Sequence, residues 1–191
     1  DVCSSDLESH DPYTKGLRGD EPYRPISVFR TYESHVMQVR PNLPRAIGEV
    51  TYLAMGMGDL GVYVPFYQGL KAFPKEYSIG TDKADSNSAY WKFRKVQTLA
   101  MTDYPKLAPV VHERYAAWEA DTAEKMKAFE AQYLKTVKTN PKKADQMLQD
   151  FNLKVIRSAE AATEALENEL YTIRTTDIQK QIFFSNNKKK D

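Results

Sequence analysis

Arg24-Pro-Ile-Ser-Val-Phe-Arg-Thr-Tyr-Glu-Ser-His-Val-Met-Gln-Val-Arg-Pro-Asn-Leu-Pro44 is the stretch on which the fold turns. Ile26 to Arg40 is rich in Val, Phe, Thr and Tyr, side chains that suit a pleated, half-buried surface, so it reads as a strand. Its alternation changes phase: Ile26 and Val28 mark one face, Met37 and Val39 the other. That change calls for a bulge, a bend or burial on both faces between Arg30 and His35. Pro41-Asn-Leu-Pro44 then turns the chain, and Glu49 to Met55 returns as a second strand. The expected product is an antiparallel hairpin with a loop longer than a two-residue turn.

Further along, Gly56-Met-Gly-Asp-Leu-Gly61 is too rich in glycine for regular structure. Val62 to Tyr67 reads as a third strand, with Pro65 suited to an edge or a bulge. Gln68 to Asn87 reads as irregular. Near Ser86 the character changes: glycine disappears and helical periodicity takes over. Asp85, Ser86 or Asn87 is expected to cap a helix from Ser88 to Ala100, ended before Pro105. From Leu107 a stripe runs through Val111, Tyr115, Trp118, Met126, Phe129 and Tyr133, with a gap at Thr122. Asn140-Pro141 supplies a cap and a first-turn proline, and a second stripe runs from Leu148 to Ile173. The expected fold class is therefore α+β, with antiparallel strands in the first half and a long helical hairpin in the second.

Arg30, Glu33, Ser34 and His35 form the densest polar cluster inside the strand region. Charge within a sheet is costly unless paired, so one reading joins Arg30 to Glu33 and lets His35 bond a neighbouring strand. The other has these four residues line a ligand cleft. Ser34 and His35 are adjacent and would point to opposite faces, which argues against a serine–histidine catalytic pair. Ser86 and Asn87 form a second candidate, since polar residues at a helix start accompany free backbone N–H groups suited to a carboxylate or oxyanion. His10, His35 and His112 are isolated from one another, and the glycines of 56–61 lack the spacing and context of a dinucleotide loop.

Three stretches taken together resemble the bacterial cysteine dipeptidases, relatives of dipeptidase A and the secernins among the N-terminal nucleophile hydrolases. They are the Arg24–Pro44 run, Val62-Tyr-Val-Pro-Phe-Tyr-Gln-Gly69 and Ser88-Ala-Tyr-Trp-Lys-Phe-Arg-Lys95. The resemblance implies a four-layer αββα fold, of which this chain would supply part of the sheets and one helical layer. It implies hydrolysis of dipeptides by an amino-terminal cysteine, whose thiolate forms an acyl-enzyme that water releases. No cofactor or metal is implied.

Cys3 does not fit that cysteine: two residues precede it, and Ser4-Ser5-Asp6 follows where the family has Thr-Thr and a strand. Asp1–Leu7 instead resembles the translation of a sequencing adapter. The expectation is thus a downstream fragment, inactive alone, whose nucleophile lies upstream of residue 1. Within it, residues 8–86 would form the strand-rich part and residues 87–184 the helical part of one hydrolase domain. Residues 185–191 would be a disordered polar tail.

With 27 Lys and Arg against 26 Asp and Glu, the net charge is +1, which gives no electrostatic case for nucleic acid or anionic lipid. No apolar run has membrane length. The expected partners are dipeptide substrates, with homo-oligomerisation left open and the compartment unassigned. Two other readings compete: a non-catalytic binding module that presents the helical hairpin, and a related amidase with a different substrate. An apolar helix stripe left uncovered would mark the first.

Overall fold

The computed structural model describes residues 27–187. Asp1–Leu7 with Cys3, His10, Ile26 and the last four residues of the expected tail lie outside the described residues. Three strands, β1 (Glu33–Val39), β2 (Glu49–Met55) and β3 (Val64–Tyr67), form an antiparallel sheet in the order β1-β2-β3. Between β1 and β2 the chain makes one helical turn, α1 (Arg45–Gly48), which confirms the expected long hairpin loop. Three further helices follow: α2 (Ala89–Ala100), α3 (Tyr104–Thr139) and α4 (Pro141–Asn187). The fold is α+β, with antiparallel strands first and a long helical hairpin second.

The first strand is shorter than its composition suggests. Thr31 N–H donates to the Val28 carbonyl, making a turn through Phe29 and Arg30, and regular pairing starts only at Glu33. No bulge is needed, because the register runs unbroken from Glu33 opposite Met55 to Val39 opposite Glu49. The phase change marks the end of the strand. β3 likewise begins at Val64 and not at Val62.

Alternation sends the two faces of the sheet into two cores. Val50 and Tyr67 join Ile47, Met126, Phe129, Tyr133, Ala144 and Leu148 around the tip of the helical hairpin. Val64 and Phe66 join Phe93 and Val96 of α2, Val111 and Tyr115 of α3, and Ile156 and Leu170 of α4. Thr122, the apparent gap in the α3 stripe, is itself buried.

The α2 cap differs from the expected one. Ser88 occupies the N-cap position but gives its hydroxyl to the Ile79 carbonyl, while Asp85 accepts from the Asn87 backbone and side chain. Pro105 does not break the chain: a short 3-10 turn at Met101–Asp103 leads directly into α3, whose unbonded first turn accommodates it. At the hairpin tip Asn140 caps α4 as its sequence indicates, its side-chain oxygen accepting from Lys143 N–H at 3.0 Å. Cross-links Arg114–Glu169, Tyr115–Thr163 and Trp118–Ser158 show the two helices running antiparallel. α4 continues to Asn187, so the expected tail begins as helix.

Candidate functional site

The polar groups concentrate where β1 begins, β2 ends and the Gly56–Gly61 loop crosses between them. Gly56 has a positive φ of 79°, and a β-carbon there would lie 2.3 Å from Gln97 Oε1, so only glycine fits. The close approach lets Gln97 hold the loop. Its Oε1 accepts from Met57 N–H at 3.0 Å, and its Nε2 donates to the Met55 carbonyl at 2.7 Å. Met57 and Leu60 are fully buried beneath, which fixes the loop from the core side.

Of the four strand candidates, Arg30 stands exposed in the turn and does not pair with Glu33. Glu33 instead meets His35, its carboxylate 2.9 Å from Nδ1, because residues two apart share a face. His35 therefore bonds within its own strand and not across to the next one. Ser34 points the other way, its hydroxyl 2.9 Å from the Tyr63 hydroxyl, so Ser34 and His35 do lie on opposite faces. Tyr63 N–H in turn donates to Glu119 of α3 at 2.8 Å. Burial pushes the Glu119 carboxyl above its ordinary range, partly offset by that N–H.

Ser86 and Asn87 lie elsewhere. Among the described residues no hydrogen bond or ion pair joins them to the β1 cluster. Both are exposed, and Ser86 borders an open cleft of about 440 Å³ between α2 and α4. The cleft's charges neutralise one another: Lys92 and Arg157 lie 3.3 and 3.1 Å from Glu160, and Lys95 lies 4.0 Å from Glu167.

Two groups escape the sequence reading. The Asp59 carboxylate, in the glycine loop, accepts from the Tyr104 hydroxyl at 2.6 Å, and His112 Nε2 lies 3.3 Å from its Oδ1. Burial alone would push the Asp59 carboxyl up, but the bonds from His112 and Tyr104 bring it below its ordinary value. The Asp59 bond holds the His112 imidazole above its ordinary value against the opposing effect of burial. No spacing rule could pair residues so far apart; an acid set in a rigid glycine loop was the available hint.

The second is Arg94 on α2. It is only 7% exposed, and its guanidinium carbon stands 3.7 Å from the centroid of the Phe29 ring. Nη1 donates to Gln97 Oε1 at 3.1 Å, and Tyr32 and Tyr90 lie close by with ring centroids 6.4 Å apart. Burial lowers its pKa from the ordinary arginine value. Its hint was an arginine one place after the core residue Phe93, at the margin of a buried helix face.

The sequence model of peptidase family C69 matches residues 5–117, more than half of the chain. The chain belongs to peptidase family C69. The match takes in the whole described sheet, the glycine loop and α2, and ends within α3. A probable dipeptidase of Salmonella dublin is 57% identical over 75 residues, 39% of this chain and 16% of that protein. Probable dipeptidase B of Lactococcus lactis is 31% identical over 107 residues, covering 54% and 23%. Dipeptidase A of Lactobacillus helveticus is 30% identical over 82 residues, covering 43% and 17%. The matched segments thus span less than a quarter of these relatives. Among the described residues no helix is long and apolar enough to cross a membrane.

Proposed function

We propose that the protein to which this chain belongs is a dipeptidase acting through an amino-terminal cysteine, and that this chain supplies part of its sheet and a helical layer. The reading rests on the C69 match together with the names of these relatives, all dipeptidases. In it, a thiolate outside this chain attacks the dipeptide carbonyl and water resolves the acyl-enzyme. The strand cluster of Arg30, Glu33, Ser34 and His35 borders the substrate cleft, whereas Ser86 and Asn87 stand on the α2 side.

The open strand β1 supports the architecture. Val36, Met37 and Val39 are 56%, 71% and 68% exposed, and they come from both faces of one strand. A strand left bare on both faces suits a sheet whose remaining strands and second layer come from elsewhere in the protein. The binding-module reading asks for an uncovered helical stripe. The stripes from Leu107 to Val137 and Leu148 to Ile173 are buried or half-buried, which favours the enzyme, and exposed apolar side chains of α4 such as Tyr171, Ile178, Ile182 and Phe183 lie outside them.

A panel of dipeptides offered to this chain alone and to the full-length protein tests the proposal. The expected result is no turnover by the chain, and turnover by the full-length protein that is abolished by thiol alkylation. Turnover by the chain itself, or alkylation-resistant turnover by the full-length protein, contradicts it.

A further inference from the structure

We infer that Arg94 is the anchor of a carboxylate-binding site beneath the Gly56–Gly61 loop. Where the anion is the C-terminal carboxylate of a dipeptide, the inference rests on the reading above; the site itself rests on geometry.

The argument begins with charge. A guanidinium withdrawn from water loses several kcal/mol of hydration, and proteins normally meet that with a paired anion. Two half-buried cations here follow that pattern. Arg40 makes a two-bond clasp with Glu130, and Lys92 meets Glu160. Arg94 is more deeply buried than either and faces no carboxylate among the described residues, while Tyr90 and Tyr32 lie near it. Its side-chain hydrogen bond among the described residues goes to a neutral amide oxygen that also accepts from Met57 N–H.

The remaining donors are available. Among the described residues the Arg94 guanidinium donates from Nη1 alone, which leaves Nε and Nη2 without an acceptor there. Two parallel N–H groups on a planar fork match the two oxygens of a carboxylate, a geometry that an ammonium cannot reproduce.

The fork is also held in place before any ligand arrives. Phe29 lies against one guanidinium face, Gln97 fixes Nη1, and α2 anchors the stem through its buried neighbours Phe93 and Val96. Little side-chain freedom remains to be lost on binding, which favours recognition of a small anion. A purely structural role would be complete with the Phe29 stack and the Gln97 bond, and it would leave the chain indifferent to carboxylates.

The test is nuclear magnetic resonance of the Arg94 Nε–Hε signal in the full 191-residue chain, titrated with Ala-Ala, its C-terminal amide and acetate. Ala-Ala and acetate are expected to shift that signal saturably, and the amide to bind at least about tenfold more weakly, as expected for loss of a charge-assisted pair. Arg94→Met should abolish binding, and Arg94→Lys should retain only a fraction. A signal indifferent to Ala-Ala, an equal response to the amide, or undiminished binding by Arg94→Met overturns the site. If Arg94→Met does not fold, the wild-type comparison of acid and amide still decides. Kinetics separate this from the broader reading. Full-length protein that binds Ala-Ala through Arg94 without hydrolysing it keeps the site and removes the dipeptidase assignment. An unchanged KM for Ala-Ala in Arg94→Met overturns the substrate role and leaves the assignment intact.

Discussion

The two edges of this small sheet are finished in opposite ways. On β3 the outward backbone positions are 63, 65 and 67, and each is accounted for. Glu119 accepts from Tyr63 N–H, and Pro65 has no N–H to satisfy. The Asn152 side chain accepts from Tyr67 N–H at 3.0 Å while donating to the Pro65 carbonyl at 2.8 Å. One asparagine from α4 thus takes the place of a neighbouring strand. On β1 the ladder bonds fall on even residues, bounded by Gly56 N–H to the Tyr32 carbonyl and Arg40 N–H to the Gly48 carbonyl. Glu33, His35, Met37 and Val39 therefore present their backbone away from β2, and no described strand lies there. Helices closed one edge with side-chain amides and carboxylates; the other was left in the form that further strands require.

The comparison can be broken most severely at Asn152. Replacing it with Leu leaves Tyr67 N–H and the Pro65 carbonyl buried and unpaired, a loss of about 2–5 kcal/mol. Chemical denaturation of Asn152→Leu should show that drop. A change near zero would mean the β3 edge is not closed by this residue.

Next comes Glu130, which clasps Arg40 just past the end of β1 and accepts from the Tyr67 hydroxyl at 2.6 Å. Glu130→Gln removes the charge that holds the open strand to the helical layer, with an expected cost of about 2 kcal/mol. The loss should appear as a lower melting temperature.

The Asp59–His112 contact holds the loop at the far end of β1, and its contribution depends on pH. The raised His112 pKa means stability present below about pH 6.5 and lost as pH rises through the folded value. The lowered Asp59 pKa means stability present above its ordinary value near 3.8 and lost as pH falls through the folded value. The contribution therefore peaks between about pH 4 and 6.5. The stability difference between wild type and His112→Gln should be widest there and narrow by pH 8; a flat difference would contradict the pairing.

The smallest expected effect lies on the open edge. Val39→Lys removes exposed apolar surface and should alter stability by no more than about 0.5 kcal/mol. It should also lower any self-association seen by analytical ultracentrifugation, because a charge on an edge strand discourages strand-to-strand contact. A large destabilisation would show that β1 is already covered.

How much of this was legible beforehand divides along the same line. Period-2 and period-3.6 patterns located β2, α2 and the helical hairpin, because local spacing governs which face is buried. Asn140-Pro141 announced the hairpin tip for an equally local reason. The extent of β1 was not legible: its apolar residues imply a buried face, yet Met37 and Val39 stand exposed, since burial depends on neighbours a sequence does not name. In the site, Ser34 and His35 fell on opposite faces as alternation demands. The Arg30–Glu33 pair failed because a turn at residues 29–30 separates the two. Asp59–His112 and Gln97–Met57 depend on tertiary approach, which carries no periodic signature.

Amide hydrogen exchange compares the two edges residue by residue and tests the account most directly. The four outward amides of β1, at Glu33, His35, Met37 and Val39, should exchange at nearly unprotected rates. Tyr63 and Tyr67 on β3 should exchange only with global unfolding. Equal protection at the two edges would contradict an account in which Asn152 and Glu119 close one side and β1 leaves the other open.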